Sequence, residues 1–211
     1  MRALMTALVA SLAILSCAAS GARGGEIAQQ PSALLDGQVM AVCYSGFRAG
    51  QHPDRGAGAV NPSDAEILED LQILLRDTPF RLIRVYDSQA NSEAVLRLIE
   101  EHDLPIRVLL GAWLSAEVSN PGCPWHPQPY PDEVRAANRV ANATEVDAAI
   151  RLANAYPDTV AAVAVGNEAL VSWTDHMVPL EKVIGYVRKV KESVSQPVTV
   201  AENFEWWARD G

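Results

Sequence analysis

Residues 160–173 read VAAVAVGNEALVSW, and the change of character within this stretch decides the fold. Residues 160–165 are all Val or Ala, and then Gly166, Asn167 and Glu168 turn the chain abruptly polar. A short, unbroken apolar run fits a parallel strand covered on both faces, and the carboxyl end of such a strand is where a parallel sheet exposes its chemistry. An amide and a carboxylate side by side at that point are candidates for function.

Working outward, the same cycle repeats. QVMAVCYSGF (38–47) predicts a first strand closed by Gly46. After a polar Gly/Pro loop, Ser63 with Glu66 three residues later marks a helix start of the capping-box kind. Ile67, Leu68, Leu71, Leu74 and Leu75 then recur at helical spacing until Thr78-Pro79. FRLIRVYD (80–87) predicts a second strand, and 92–102 a helix with Val95, Leu96 and Ile99 on one side. PIRVLLGAW (105–113) predicts the third strand, followed by a long Pro-rich loop carrying Cys123 and Trp125. A helix over 142–156, a strand over 159–165, a helix over 180–193 and a strand over 197–203 complete the chain. Strands alternating with amphipathic helices imply right-handed βαβ units and a parallel sheet, an α/β fold.

Two parallel architectures compete. A doubly wound sheet should carry a Gly-rich nucleotide turn after its first strand, and the glycines of GFRAG and GAG do not form one. A (β/α)8 TIM barrel places polar and aromatic residues at strand end after strand end. The chain does this with Tyr44, Tyr86 and Asp87, Trp113, Asn167 and Glu168, and Glu202 and Asn203. The expectation is therefore a TIM barrel, incomplete here, with about five βα units.

With CYSGFR on the first strand, RVYD on the second, VGNEAL at the end of the fourth and VTVAENFEWW on the fifth, residues 38–211 resemble the family-17 glycoside hydrolases, in particular the bacterial branch acting on β-1,3-glucans. The resemblance implies an exported retaining glycosidase in which Glu168 is the general acid/base and Asn167 hydrogen-bonds the hydroxyl beside the reacting carbon. It implies that Tyr44, Tyr86, Asp87, Trp113 and Glu202 line sugar subsites. It also places the nucleophilic carboxylate at the end of a seventh strand, beyond Gly211. On that expectation the chain is the N-terminal part of an enzyme that is a monomer when complete, and is inactive as it stands. Glu202 is the one residue within the chain to consider as a substitute nucleophile. A β-1,3-glucanosyltransferase using the same site, or a non-catalytic glycan-binding half barrel, is the alternative.

Plainer readings compete at each position. A strand-end Glu caps the following helix in many proteins, and strand-end Tyr and Trp are commonly lids on the core. Trp206-Trp207 fits packing as well as a substrate wall.

Composition narrows the partners. The 211 residues hold 17 Lys+Arg against 26 Asp+Glu, with no basic stretch to track phosphates, so nucleic acid is not expected. His52, His102, His126 and His176 lack metal-ligand spacing, and neither a metal nor a cofactor is expected. Residues 1–22 read as a signal peptide: Arg2, an apolar segment, then small residues, too short to span a bilayer. The stretch ILSC offers a looser lipoprotein reading with Cys17 acylated. Either places the mature protein outside the cytoplasm, secreted or periplasmic, with residues 23–37 as a linker. Removing the signal leaves Cys43 and Cys123, which fit either a disulfide or an ordinary buried thiol in a strand.

Overall fold

The computed structural model describes residues 39–54 and 57–209. The signal peptide, Cys17 and the 23–37 linker lie outside the described residues. Five strands, β1 (Ala41–Cys43), β2 (Leu82–Arg84), β3 (Arg107–Ala112), β4 (Val160–Asn167) and β5 (Val198–Ala201), alternate with α1 (Asp64–Asp77), α2 (Ala90–Glu101), α3 (Asp132–Ala155), α4 (Leu180–Lys191) and α5 (Phe204–Arg209). The strands form one all-parallel sheet in the order β1-β2-β3-β4-β5. Chain order and spatial order coincide, so the sheet has no point at which the winding reverses. Right-handed crossovers then stack the helices on one face. The architecture is α/β and compatible with an arc of a TIM-like barrel.

Register shows how the faces divide. Val42, Ile83 and Val108 are in-line partners, as are Leu110 with Val163 and Ala112 with Val165. This row forms the core with Ile67 and Leu71 of α1, Val95, Leu96 and Ile99 of α2, Val146, Ala149 and Leu152 of α3, and Val183 and Val190 of α4. The intervening row is different. Cys43 is exposed, and its in-line partners Arg84 and Leu109 are only partly buried. Full burial along a strand is seen in β4, where residues 160–166 are all buried. The expectation of strands covered on both faces holds there and fails at β1, β2 and β5. The failing strands carry Arg84 and Thr199, which an apolar interior would not accept unpaired.

α1 begins as predicted: the Glu66 N–H donates to Ser63 Oγ at 3.4 Å, and the Ser63 N–H to Glu66 Oε2 at 2.8 Å. It ends at Asp77, with the Thr78 hydroxyl donating to the Leu74 carbonyl at 2.6 Å. α3 departs from expectation by starting ten residues early, at Asp132 instead of 142. Its first turns carry no apolar stripe, since Val134 and Val140 are 37% and 69% exposed. They are helical through Ala, Glu and Arg propensity, with Pro131 before Asp132 and Glu133 at the start. Among the described residues no helix is long and apolar enough to cross a membrane.

Candidate active site

The carboxyl ends of β1, β2 and β3 enclose a cavity of about 470 Å³ whose lining includes Tyr44, Tyr86, Asp87 and Trp113, four of the residues expected from sequence. Each is fixed from behind. The Tyr44 hydroxyl donates to Asp70 Oδ2 on α1 at 3.2 Å, and the other Asp70 oxygen accepts from Arg48 at 2.8 Å. Burial, then the Asp70 charge, pushes the Tyr44 phenol well above its ordinary pKa. Gly46 has φ +67°, and a Cβ there would lie 2.6 Å from the Tyr44 hydroxyl, so both conformation and space require glycine.

Tyr86 sits under the Arg84 guanidinium, 4.7 Å from ring centroid to Cζ. A hydrogen bond with the Cys43 thiol, then burial, raises its phenol pKa. Asp87 accepts from the Gln89 N–H at 3.1 Å and the Ser92 hydroxyl at 2.9 Å, so one of its oxygens is engaged by the turn that leads into α2. The Trp113 N–H donates to Glu145 Oε1 of α3 at 3.2 Å, and the same oxygen accepts the Ser88 N–H at 2.6 Å. Buried Glu145 thereby pins two strand ends to one helix. Burial, reinforced by the nearby Asp87 charge, pushes its pKa up to about 7. Gly111 lets β3 pass close beneath this corner, since a Cβ would stand 2.4 Å from the Tyr86 backbone.

Asn167, Glu168 and Glu202 form a second group, at the ends of β4 and β5. Gly166 at φ +80° and Glu168 at φ +53° flank Asn167, and the β4–β5 register shifts at the same place. This left-handed turn stops the strand and presents two consecutive polar residues. Glu168 does not cap the next helix: α4 starts at Leu180, with Pro179 in the cap position. The Glu168 N–H instead donates to the Ala201 carbonyl at 2.6 Å. Both oxygens of Glu202 lie 3.3 Å from the Leu170 N–H. Burial, with the Glu168 charge adding to it against His176, raises the Glu202 pKa to about 7.

Two residues not anticipated from sequence join the groups. Arg84 Nη2 donates to Asn167 Oδ1 at 2.7 Å, reaching from β2 past β3 to β4 while stacked on Tyr86; its Nε is buried without a partner. A strand supplied the clue, because positions i and i+2 share a face and Arg84 therefore accompanies Tyr86. His176 lies in the β4–α4 loop, with Nε2 2.7 Å from the Asn167 carbonyl oxygen, Nδ1 2.6 Å from Asp175 Oδ1, and its ring 4.6 Å from that of Trp113. Burial alone would raise the Asp175 pKa, but hydrogen bonds from His176 and Trp125 hold it below the usual carboxylate range. No sequence period announces His176, since its place depends on how the loop returns.

Trp206, half-buried, lines a smaller cleft of about 180 Å³ with Trp173 and Asn203, and Trp207 is 50% exposed. Cys43 and Cys123 are both free thiols, Cys43 exposed and Cys123 buried. This corrects both sequence readings: the pair is not a disulfide, and Cys43 is not a buried thiol, because its row of the sheet is the open one. Among the described residues no group of three or more His, Cys, Asp or Glu side chains could hold a metal ion. No protein-family model matches the chain, and no curated protein matches it.

Proposed function

We propose that the chain is part of an exported retaining glycoside hydrolase acting on β-1,3-glucan, its five strands forming an arc of a (β/α)8 barrel. The observation that carries this reading is the gathering of Tyr44, Tyr86, Asp87 and Trp113 around one cavity at the strand ends, with Arg84 joining Tyr86 to Asn167. Aromatic faces suit the apolar faces of pyranose rings, and Asp87 suits their hydroxyls. Glu168, half-buried and near enough for its charge to act on Tyr86 and Glu202, protonates the leaving glycosidic oxygen and later takes the proton of the incoming water. Asn167 has Oδ1 engaged by Arg84, so its Nδ2 meets the sugar hydroxyl next to the reacting carbon. The nucleophile on this reading is a carboxylate from a strand later than β5, roughly 5–5.5 Å from Glu168. Transfer to a sugar hydroxyl in place of water uses the same intermediate and the same residues.

The test is calorimetric binding of laminari-oligosaccharides and of β-1,4-linked controls, with reducing-sugar release by the full-length gene product. Selective binding and release from β-1,3-glucan support the reading. Selective binding without release, in the full-length product, favours a glycan-binding protein. Absence of binding overturns both.

A further inference from the structure

We infer that Glu202 is a positioning residue, a latch that holds the Asn167–Glu168 turn in its left-handed shape from the neighbouring strand; the functional half of this inference rests on the glycosidase reading above. Three successive backbone N–H groups, of Glu168, Ala169 and Leu170, turn toward the end of β5. The first donates to the Ala201 carbonyl at 2.6 Å, and the next two donate to the Glu202 carboxylate, with Leu170 at 3.3 Å from both oxygens. Successive N–H groups around a residue of positive φ form a concave site for an anion, and here a side chain two positions after Val200 fills it. Ala169 is fully buried, and its carbonyl accepts the Val178 N–H at 3.0 Å, so the far side of the turn is fixed as well. With the carboxylate removed, two N–H groups lose their acceptor and the strained φ of Glu168 is held by the Ala201 carbonyl without the support of the residues after it.

The groups whose charges act on Glu202 are Glu168 from the end of β4 and His176 from the β4–α4 loop, the latter beside Asp175. α5 follows directly with Glu205 and Arg209, which pair with each other at 2.9 Å. Ionisation of Glu202 makes it a stronger acceptor, so the latch tightens as pH rises through about 7.

Amide resonances of the isotope-labelled chain, followed from pH 5 to 9 (roughly two units either side of that pKa), test the latch without any sugar. The expected result is that Ala169 and Leu170 N–H signals move together with a midpoint near 7, and that the movement vanishes in Glu202→Gln. Absence of the movement in the unmodified chain overturns the inference, whether or not the variant folds. In the full-length product, Glu202→Ala and Glu202→Gln should lower kcat about tenfold to a hundredfold with KM nearly unchanged, and Glu202→Gln should remove an ionisation near pH 7 from the kcat profile. An unchanged kcat in Glu202→Ala overturns the positioning role. Amide titration lost in Glu202→Gln, in a protein that never releases sugar, supports the latch and sinks the glucan reading instead.

Discussion

At the ends of β1 to β3 the cleft-forming residues are tied to helices, whereas at the ends of β4 and β5 they are tied to backbone. Tyr44 is anchored by Asp70 of α1, and Trp113 with Ser88 by Glu145 of α3. Asn167 and Glu168 depend on a left-handed turn, the Ala201 carbonyl, the Glu202 carboxylate and one loop histidine. The first group builds a largely aromatic wall held from behind, with one Asp87 oxygen taken up by the chain, which suits shape recognition. The second keeps carboxylates close together under backbone strain, which suits proton transfer. The division of labour makes different substitutions damaging on the two sides.

The largest difference is expected from Glu168→Gln. If chemistry resides in the second group, turnover of laminari-oligosaccharides by the full-length product falls about 10²–10⁴-fold while their affinity stays nearly the same. Near wild-type turnover would remove Glu168 from its role and break the comparison outright.

Stability should distinguish the groups next. Glu145 and Glu202 both have folded-state pKa values of about 7 against an ordinary 4.5. Between those values the folded chain holds protons that the unfolded chain has released, so this contribution is fully present below about pH 4.5 and is lost as pH rises through 7. For the more deeply buried Glu145 the loss is on the order of 1–3 kcal/mol. Glu145→Gln keeps an oxygen for the Ser88 and Trp113 N–H groups and should flatten the dependence of denaturant midpoint on pH. Part of the slope should remain, because Glu202 titrates in the same range; a slope undiminished in that variant would place the titrating group elsewhere.

Two glycines sharpen the contrast further. Gly111→Ala drives a Cβ to within 2.4 Å of the Tyr86 backbone, which cannot swing aside, and should cost about 1–3 kcal/mol. Gly166→Ala meets its nearest neighbour, a Leu114 methyl, at 3.4 Å, so its cost comes from φ +80° alone, about 1 kcal/mol. Urea midpoints of the two variants test the order; the reverse order would mean that strain, not close approach, governs the wall.

The strands and most helices were legible in the sequence because burial imposes a period. Ile67 with Leu71, Val95 with Ile99, and the Val/Ala run of β4 all announce themselves in this way. The early turns of α3 are exposed, so no period marks them. The cleft residues Tyr44, Tyr86, Asp87 and Trp113 were legible because strand ends in a parallel sheet converge, and topology alone gathers them. What holds them was not. A buried carboxylate such as Glu145 sits on a helix face among apolar neighbours with no distinguishing spacing, and His176 arrives through an irregular loop.

The smallest effect concerns Asn167, where the two groups meet through Arg84. Asn167→Ala removes both the amide that the glycosidase reading assigns to the sugar and the oxygen that Arg84 Nη2 reaches at 2.7 Å. The Arg84 Nε is already buried without a partner, so this variant leaves the guanidinium with still less to hold it over Tyr86. Asn167→Asp separates the two losses, because it keeps an oxygen for Arg84 while giving up the donor, with a negative charge added beside Glu168. A hydrogen bond that strengthens in the transition state should appear as a drop in kcat of about tenfold, with a smaller rise in KM, in both variants. Equal kcat values for the two would assign the effect to the lost donor. A rise in KM confined to Asn167→Ala would show instead that Asn167 serves the wall by holding Arg84 against Tyr86, and that the boundary between the groups lies one residue later, at Glu168.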